Sequence, residues 1–251
     1  MPHSLPSVDL VIPVLNEAHV LEKSVEVIRK FLREEFPYPA RVVIADNGST
    51  DGTGAIALAL AQRHPDVECV QLAERGRGRA LRLAWSRSRA DICAYTDVDI
   101  STELAALERI CRAMVEEGYD LGTGSRLLPQ SQVTRGRKRE LISRLYNWMV
   151  RWVLRTRFSD AQCGFKAVSR AVVEQVVPQV RDESWFFDTE LLVLAERQGW
   201  RIRDEPVRWV DDDDSRVRIF STAWEDVKGV ARLRMLFWSR RYRRAHPRRS
   251  G

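Results

Sequence analysis

Between Val8 and Glu117 the chain repeats one pattern. A short apolar run is followed by a turn and then an amphipathic stretch, each unit taking about 25 to 30 residues. VDLVIPV (Val8–Val14) predicts a buried strand. Residues 17–35 predict a helix, with Val20, Leu21, Val25, Ile28, Phe31 and Leu32 at helical spacing. Pro37 and Pro39 end it. Further strands are expected at RVVIAD (41–46), VECVQL (67–72) and DICAYTD (91–97), and helices over about 54–63, 79–88 and 102–117. Neighbouring parallel strands need a long crossover, so this alternation predicts an α/β fold with a mostly parallel sheet flanked by helices.

Beyond Gly124 the pattern changes. RLLPQSQVTRGRKRE (126–140) reads as a polar loop leading into LISRLYNWMVRWVLRT (141–156). There Leu141, Leu145, Trp148, Met149, Trp152 and Val153 share one helical stripe, with Arg144, Arg151 and Arg155 elsewhere. FKAVS (165–169) predicts a strand, two helices follow, and RIRDEPVRWV (201–210) predicts the last strand. We expect one α/β unit over 1–221 and a basic amphipathic helix or tail over 222–251, not two independent domains.

The 251 residues suffice for a full core, and 44% apolar with 30% charged residues suits a globular chain. No stretch approaches the roughly 18 to 20 apolar residues of a membrane span, and no basic region opens a signal peptide. The four cysteines lack CxxC spacing and read as buried thiols in a reducing compartment. The net charge of +6 is uneven: eight arginines and no acid lie between Arg232 and Gly251, and a second basic stretch spans 135–157. No nucleic-acid fold motif accompanies those runs, so neither DNA nor RNA is the expected partner; the C-terminal one also reads as a solubilising tail, and the Arg/Trp/Leu stripe suits either a core helix with surface arginines or a headgroup interface with anionic lipid.

In a parallel α/β sheet ligands bind at the carboxyl ends of the strands. Asn16 and Glu17 follow the first strand, Asp46 the second, Asp97 and Asp99 the fourth, and Gly76 and Gly78 leave room after the third for a close backbone approach. Residues i and i+2 of a strand point to one side, so Asp97 and Asp99 would repel each other without a cation between them. Mg²⁺ or Mn²⁺ takes carboxylates together with substrate phosphates, and such a site would neutralise charge on a departing diphosphate.

IPVLNE (12–17), ADNGSTDGT (45–53), RGRGRALR (75–82), DVD (97–99) and GSR (124–126) stand in an order that resembles the nucleotide-sugar half of family-two glycosyltransferases with the GT-A, Rossmann-like fold. DAQCGFKAVSR (160–170), WFFDTELLVLA (185–195) and EPVRWVDDDDSRVRI (205–219) look like the dolichyl-phosphate and polyprenyl-phosphate sugar synthases, with QCGFK nearer the glucosyl than the mannosyl branch. The resemblance covers about residues 8 to 220.

It implies a nucleotide-sugar site lined by Pro13, Leu15, Asn16, Glu17, Asp46, Asn47, Gly78, Asp97, Val98 and Asp99. It implies metal on Asp97 and Asp99, with Ser101 standing where some relatives place a further ligand. Arg126, Asp160 and Asp188 join Asp97 and Asp99 as implied catalytic residues. Arg126, Arg137, Lys138, Gln162, Lys166 and Arg216 would meet the acceptor. Arg77 replaces the usual lysine of an NxGKG loop, and Leu15 a common tyrosine.

The implied activity is metal-dependent, inverting transfer of one sugar, from UDP-glucose in the first place and GDP-mannose in the second, to a polyprenyl phosphate. The enzyme would be cytoplasmic, peripheral on the inner face of the membrane, in an oligomeric state the sequence leaves open. Other classes fit less well. IPVLNE lacks the GxGxxG of a nicotinamide enzyme, and no glycine-rich first loop marks a nucleotidyltransferase. No QxxRW marks a processive synthase, and the intact carboxylates argue against a non-catalytic nucleotide-sugar binder.

Overall fold

The computed structural model describes residues 5–210 and 219–239. In chain order the first half runs β1 (Val8–Val14), α1 (Leu21–Glu34), β2 (Ala40–Asn47), α2 (Thr53–Arg63), β3 (Val67–Leu72), α3 (Arg77–Arg87), β4 (Ile92–Thr96), α4 (Ala105–Glu116) and β5 (Leu121–Ser125). The second half runs β6 (Gln132–Thr134), α5 (Arg137–Leu154), β7 (Phe165–Ser169), α6 (Arg170–Gln175), α7 (Phe187–Arg197), β8 (Ile202–Pro206), β9 (Arg208–Val210) and α8 (Ile219–Trp238).

Seven strands form the main sheet in the order β3-β2-β1-β4-β7-β5-β8. Every pairing is parallel except those of β7, which runs antiparallel between β4 and β5. The α/β class expected from the alternation is the one observed.

Strand pleating divides the core in two. On one face Leu10 and Ile12 of β1 and Ala94 of β4 meet Leu21 and Ile28 of α1, Leu60 of α2 and Leu107 and Ile110 of α4. On the other, Val11 and Tyr95 meet Leu81 and Trp85 of α3, Leu191 of α7, Val150 and Leu154 of α5, and Leu233 and Phe237 of α8. A chain buried on both faces of its sheet reads as continuous apolar runs, which is how β1 and β2 appear in the sequence.

Two readings of the second half need correction. The polar loop over 126–140 holds β6 and the first turn of α5. Its described polar residues are paired or partly exposed: Glu140 pairs with Arg135 and Arg144 from within the turn. The expected last strand is two. Pro206 has no amide hydrogen to continue the main ladder. The Val207 carbonyl instead accepts from the Gln132 N–H, and β9 pairs parallel with β6 as a separate ribbon.

Candidate active site

The site is built where β1, β2, β4 and β5 end. After β1 the backbone turns through Asn16 at φ +57°, a conformation that asparagine tolerates better than most side chains. The turn is held from the β2 side. Asn16 Oδ1 accepts the Thr50 N–H (2.8 Å), the Asn16 N–H reaches Ser49 Oγ (2.9 Å), and the Glu17 N–H reaches Thr53 Oγ1 (2.8 Å).

Asp46, buried at the end of β2, accepts the Ser49 N–H (3.1 Å). Neighbouring Asn47 accepts the Gly76 N–H (2.6 Å), which ties β2 to the turn before α3. Pro13, Leu15, Asn16, Glu17, Asp46 and Asn47 thus lie on two bonded loops at one edge. Gly78 does something different from what was expected. A Cβ there would stand 2.6 Å from Cβ of Phe187, so its room is taken by α7 rather than left for a ligand.

Asp97, Val98 and Asp99 lie past the end of β4. The strand stops at Thr96, and the Ile100 N–H closes a turn on the Asp97 carbonyl (3.2 Å), with Ile100 at φ +52°. The strand-pleat argument for the two aspartates therefore does not hold; a turn, not a strand, sets their directions. Asp99 accepts both the N–H (3.0 Å) and Oγ–H (2.8 Å) of Ser101. Asp97 accepts Nη2 of Arg77 (2.8 Å) and leans over Gly164, where a Cβ would come within 1.7 Å of its Oδ2.

Arg77, at the first turn of α3, stands out in the sequence only as a departure from an NxGKG loop, with no role in the site assigned to it. Its Nη1 donates to Asp188 (2.6 Å), so one guanidinium bridges Asp97 and the buried Asp188 of α7. Its ring partners are Tyr95 and Trp185, 4.8 and 5.1 Å from the guanidinium carbon. Burial opposes its charge, yet the surrounding Tyr95, Asp97 and Asp188 hold Arg77 well above the ordinary guanidinium range.

Asp188 also accepts from the Tyr95 hydroxyl (2.6 Å) and stands 3.5 Å from Lys166 Nζ, itself fully buried and bonded to the Cys163 carbonyl (2.6 Å). Burial pushes against the Asp188 carboxylate, but Lys166 and Arg77 hold it below the usual range. Tyr95 itself is fully buried within β4, and its hydroxyl meets the site through Asp188.

The second anchor is Arg126, just past β5. Its Nε, Nη2 and backbone N–H all donate to Asp160, at 2.7, 3.0 and 3.2 Å. Burial opposes charge on Asp160, and Arg126 overcomes it, drawing the carboxyl down to about 2. The guanidinium faces the Trp209 ring at 5.5 Å. Asp160 also accepts the Gln162 N–H (3.1 Å) and Asn147 Nδ2 of α5 (3.4 Å).

A cleft of about 490 Å³ opens beside this pair, lined among others by Arg126, Leu128, Arg135 and Arg144. Arg137 begins α5, and Lys138 is exposed on its first turn. Gln162 turns away from the cleft, and its Nε2 donates to Asp226 of α8 (2.8 Å). Lys166 is corrected from a candidate acceptor contact to a buried support beneath Asp188. Asp160 and Asp188, expected among the reacting groups, are buried beneath them, each saturated with cations and donors. Arg216 lies outside the described residues.

The family model described as glycosyl transferase family 2 matches residues 9–177. The chain belongs to that family. Glycosyltransferase AglD of Haloferax volcanii is 37% identical over 233 residues, covering 92% of this chain and 37% of AglD. The chain therefore spans little more than a third of that relative. The dolichyl-phosphate beta-glucosyltransferase of Dictyostelium discoideum is 28% identical over 241 residues, covering 91% of this chain and 74% of the relative.

Among solved structures, glucosyl-3-phosphoglycerate synthase of Mycobacterium tuberculosis with Mn²⁺ and UDP-glucose superposes with a TM-score of 0.65 at 18% identity, covering 91% of this chain and 79% of that one. A mannosyltransferase of Pyrobaculum calidifontis with GDP-mannose and Mn²⁺ superposes at 0.56 and 22% identity, covering 89% and 61%. The glycosyltransferase thus shares the GT-A arrangement of a mostly parallel sheet between helices.

Its residues suit a hard divalent cation. Asp97, Asp99 and Ser101 offer oxygen donors only, and the side chain missing at Gly164 leaves the Asp97 carboxylate in a cradle that any larger residue would fill.

Proposed function

We propose that this glycosyltransferase moves one glucose from UDP-glucose to the phosphate of a polyprenol at a membrane surface, inverting the anomeric centre. The observation that carries the lipid acceptor is the outer face of α5. Leu141, Leu145, Trp148 and Trp152 are 58%, 56%, 64% and 73% exposed, and Trp148 and Trp152 stack at 6.1 Å between centroids. This apolar face adjoins the cleft of Arg126 through Arg144 and is tied to Asp160 through Asn147. An acceptor with a phosphate head and a greasy tail suits cations and tryptophans placed side by side. Similarity to dolichyl-phosphate beta-glucosyltransferases supports the same acceptor class and the choice of glucose.

Residues 1–221 would carry the catalysis, and the rest would add to the membrane contact, on the cytoplasmic side. No helix among the described residues is long and apolar enough to cross a membrane; the contact proposed for this chain is the peripheral one made by α5. Asp46 would meet the base, with Pro13, Leu15, Asn16, Glu17, Asn47 and Val98 shaping the nucleotide pocket. Asp97 and Asp99 would hold Mg²⁺ or Mn²⁺, with Ser101 either as a ligand or as the donor that keeps Asp99 in place. The metal when bound supplies charge neutralisation for the leaving diphosphate.

The acceptor phosphate, with a second pKa of about 6, is largely ionised near neutrality and needs little help from a base. The protein's tasks are then to position it and to exclude water. Arg126, held rigid by Asp160 and Trp209, would face that phosphate from the cleft, with Arg135, Arg137, Lys138 and Arg144 nearby in sequence and Arg216 as a further contact.

The test is a transfer assay with Mn²⁺, radiolabelled UDP-glucose or GDP-mannose, and either a short polyprenyl phosphate or 3-phosphoglycerate. Glucose on the lipid phosphate, β-linked, is the expected product. Transfer of mannose instead would revise the donor. Label on the soluble acceptor alone would sink the lipid reading.

A further inference from the structure

Arg77 places a cation where the metal site of this family-two enzyme needs its carboxylate. Its guanidinium holds Asp97 Oδ1 at 2.8 Å and Asp188 Oδ2 at 2.6 Å, and it is buried between Tyr95 and Trp185. The two acids it joins are far apart in the chain, one on the turn after β4 and one in the first turn of α7.

The two ends differ. Asp188 is buried and has two other partners, Tyr95 and Lys166. Asp97 is partly open on the ligand side, with 41% of its side chain exposed. A buried guanidinium that loses a carboxylate must be compensated, and the nearest compensation from a ligand is the negative diphosphate of a sugar nucleotide.

We infer that Arg77 is a resident counter-cation: it holds Asp97 against Asp188 in the free enzyme and releases Asp97 to the divalent metal only when a nucleoside diphosphate arrives to take its place. Arg77 is thus a positioning residue that makes metal binding wait for the donor. A point charge cannot span both carboxylates as a planar guanidinium does, so lysine here would hold one acid at a time. The inference rests on the proposed metal role of Asp97 and Asp99.

The test measures Mn²⁺ affinity by electron paramagnetic resonance, without nucleotide and with saturating UDP, in the wild type, Arg77→Met, Arg77→Lys and Asp188→Asn. In the wild type UDP should tighten Mn²⁺ binding strongly. Arg77→Met should tighten binding without UDP by about tenfold, the size expected on removing a cation in contact with one ligand, and should shrink the effect of UDP. Arg77→Lys should fall between the two.

Asp188→Asn removes the competing carboxylate, leaves Arg77 wholly on Asp97, and should weaken binding without UDP several-fold. This variant keeps the inference open to test if Arg77→Met fails to fold, as judged by circular dichroism. Native-like Arg77→Met with Mn²⁺ affinity unchanged or weakened without UDP overturns the inference, as does Asp188→Asn with wild-type affinity. Should the wild type bind no Mn²⁺ even with UDP, the metal reading itself falls. If it binds Mn²⁺ with UDP while the variants behave like it, only the role of Arg77 falls.

Discussion

Gly164 shows how much of this site rests on single atoms. Its neighbour Asp97 fills the space where a Cβ would be, with Oδ2 only 1.7 Å from that position. Gly164→Ala must swing the Asp97 carboxylate, and the end of a side chain moves more easily than backbone. The fold should survive, with a melting point within a few degrees of wild type. Sugar transfer should fall by about a hundredfold, the order of loss that follows an ångström of misplacement. Wild-type turnover in a folded Gly164→Ala enzyme would show that the position of Asp97 is unimportant. At this scale the sequence disclosed identities but not geometry. DVD was legible as a pair of carboxylates at a strand end. The turn that holds them, and the cation that engages one of them, were not. Arg77 meets Asp188 across 111 residues of chain, and no local pattern reports such a pairing. The same limit hid the depth of Asp160, Asp188 and Lys166, polar types that belong on the surface unless paired.

Elements were the most legible level. The strands at 8–14 and 165–169 appear where their apolar runs place them, because burial on both faces leaves little room for polar residues; the edge strand at 67–72 appears where expected with only Val67 and Val70 buried. β6 escaped notice because a three-residue strand at the surface carries little apolar signature, and β9 reads in the sequence as the continuation of β8 across Pro206. α5 was legible as amphipathic, but its stripe divides: Met149 and Val153 pack inward beside Val150 and Leu154, while Leu141, Leu145, Trp148 and Trp152 face out. Periodicity alone cannot say which of two adjacent apolar faces meets the core. The outward face has a consequence that vesicles can measure. A chain with this surface should sediment with anionic vesicles at low salt and detach as salt rises, since screening weakens the arginine contribution. Replacing Trp148 and Trp152 by serine removes two large aromatic surfaces and should lower the bound fraction at least about tenfold, while nucleotide binding and melting stay unchanged. Wild-type protein left in the supernatant would count against the membrane contact.

Across the whole molecule, α8 closes the structure by returning to the sheet's second half. Arg232 forms a bidentate pair with Glu190 of α7 (2.7 and 2.8 Å), and Asp226 accepts from Gln162, beside the Arg126–Asp160 anchor. Asp226 has a weakness. It is buried, its Oδ1 has no hydrogen-bond partner among the described residues, and the acids nearest it, Asp182 and Glu225, repel its charge. Burial pushes its carboxyl up to about 7, against the partial relief of the Gln162 bond. An acid near 4 when unfolded and near 7 when folded binds more protons in the folded state between those values. Its contribution is therefore present below pH 4 and is lost as pH rises to 7, the reverse of Asp160, whose drawn-down carboxyl stabilises the fold above pH 4 and fails below it. At about 1.4 kcal/mol per pKa unit, the loss at Asp226 reaches at most about 4 kcal/mol. Asp226→Asn keeps the shape and cannot ionise. Its melting point relative to wild type should climb by several degrees between pH 5 and pH 8. Parallel curves for the two proteins across that range would mean that Asp226 is solvated well enough to ionise at little cost, and that α8 is held by Arg232 and its apolar face alone.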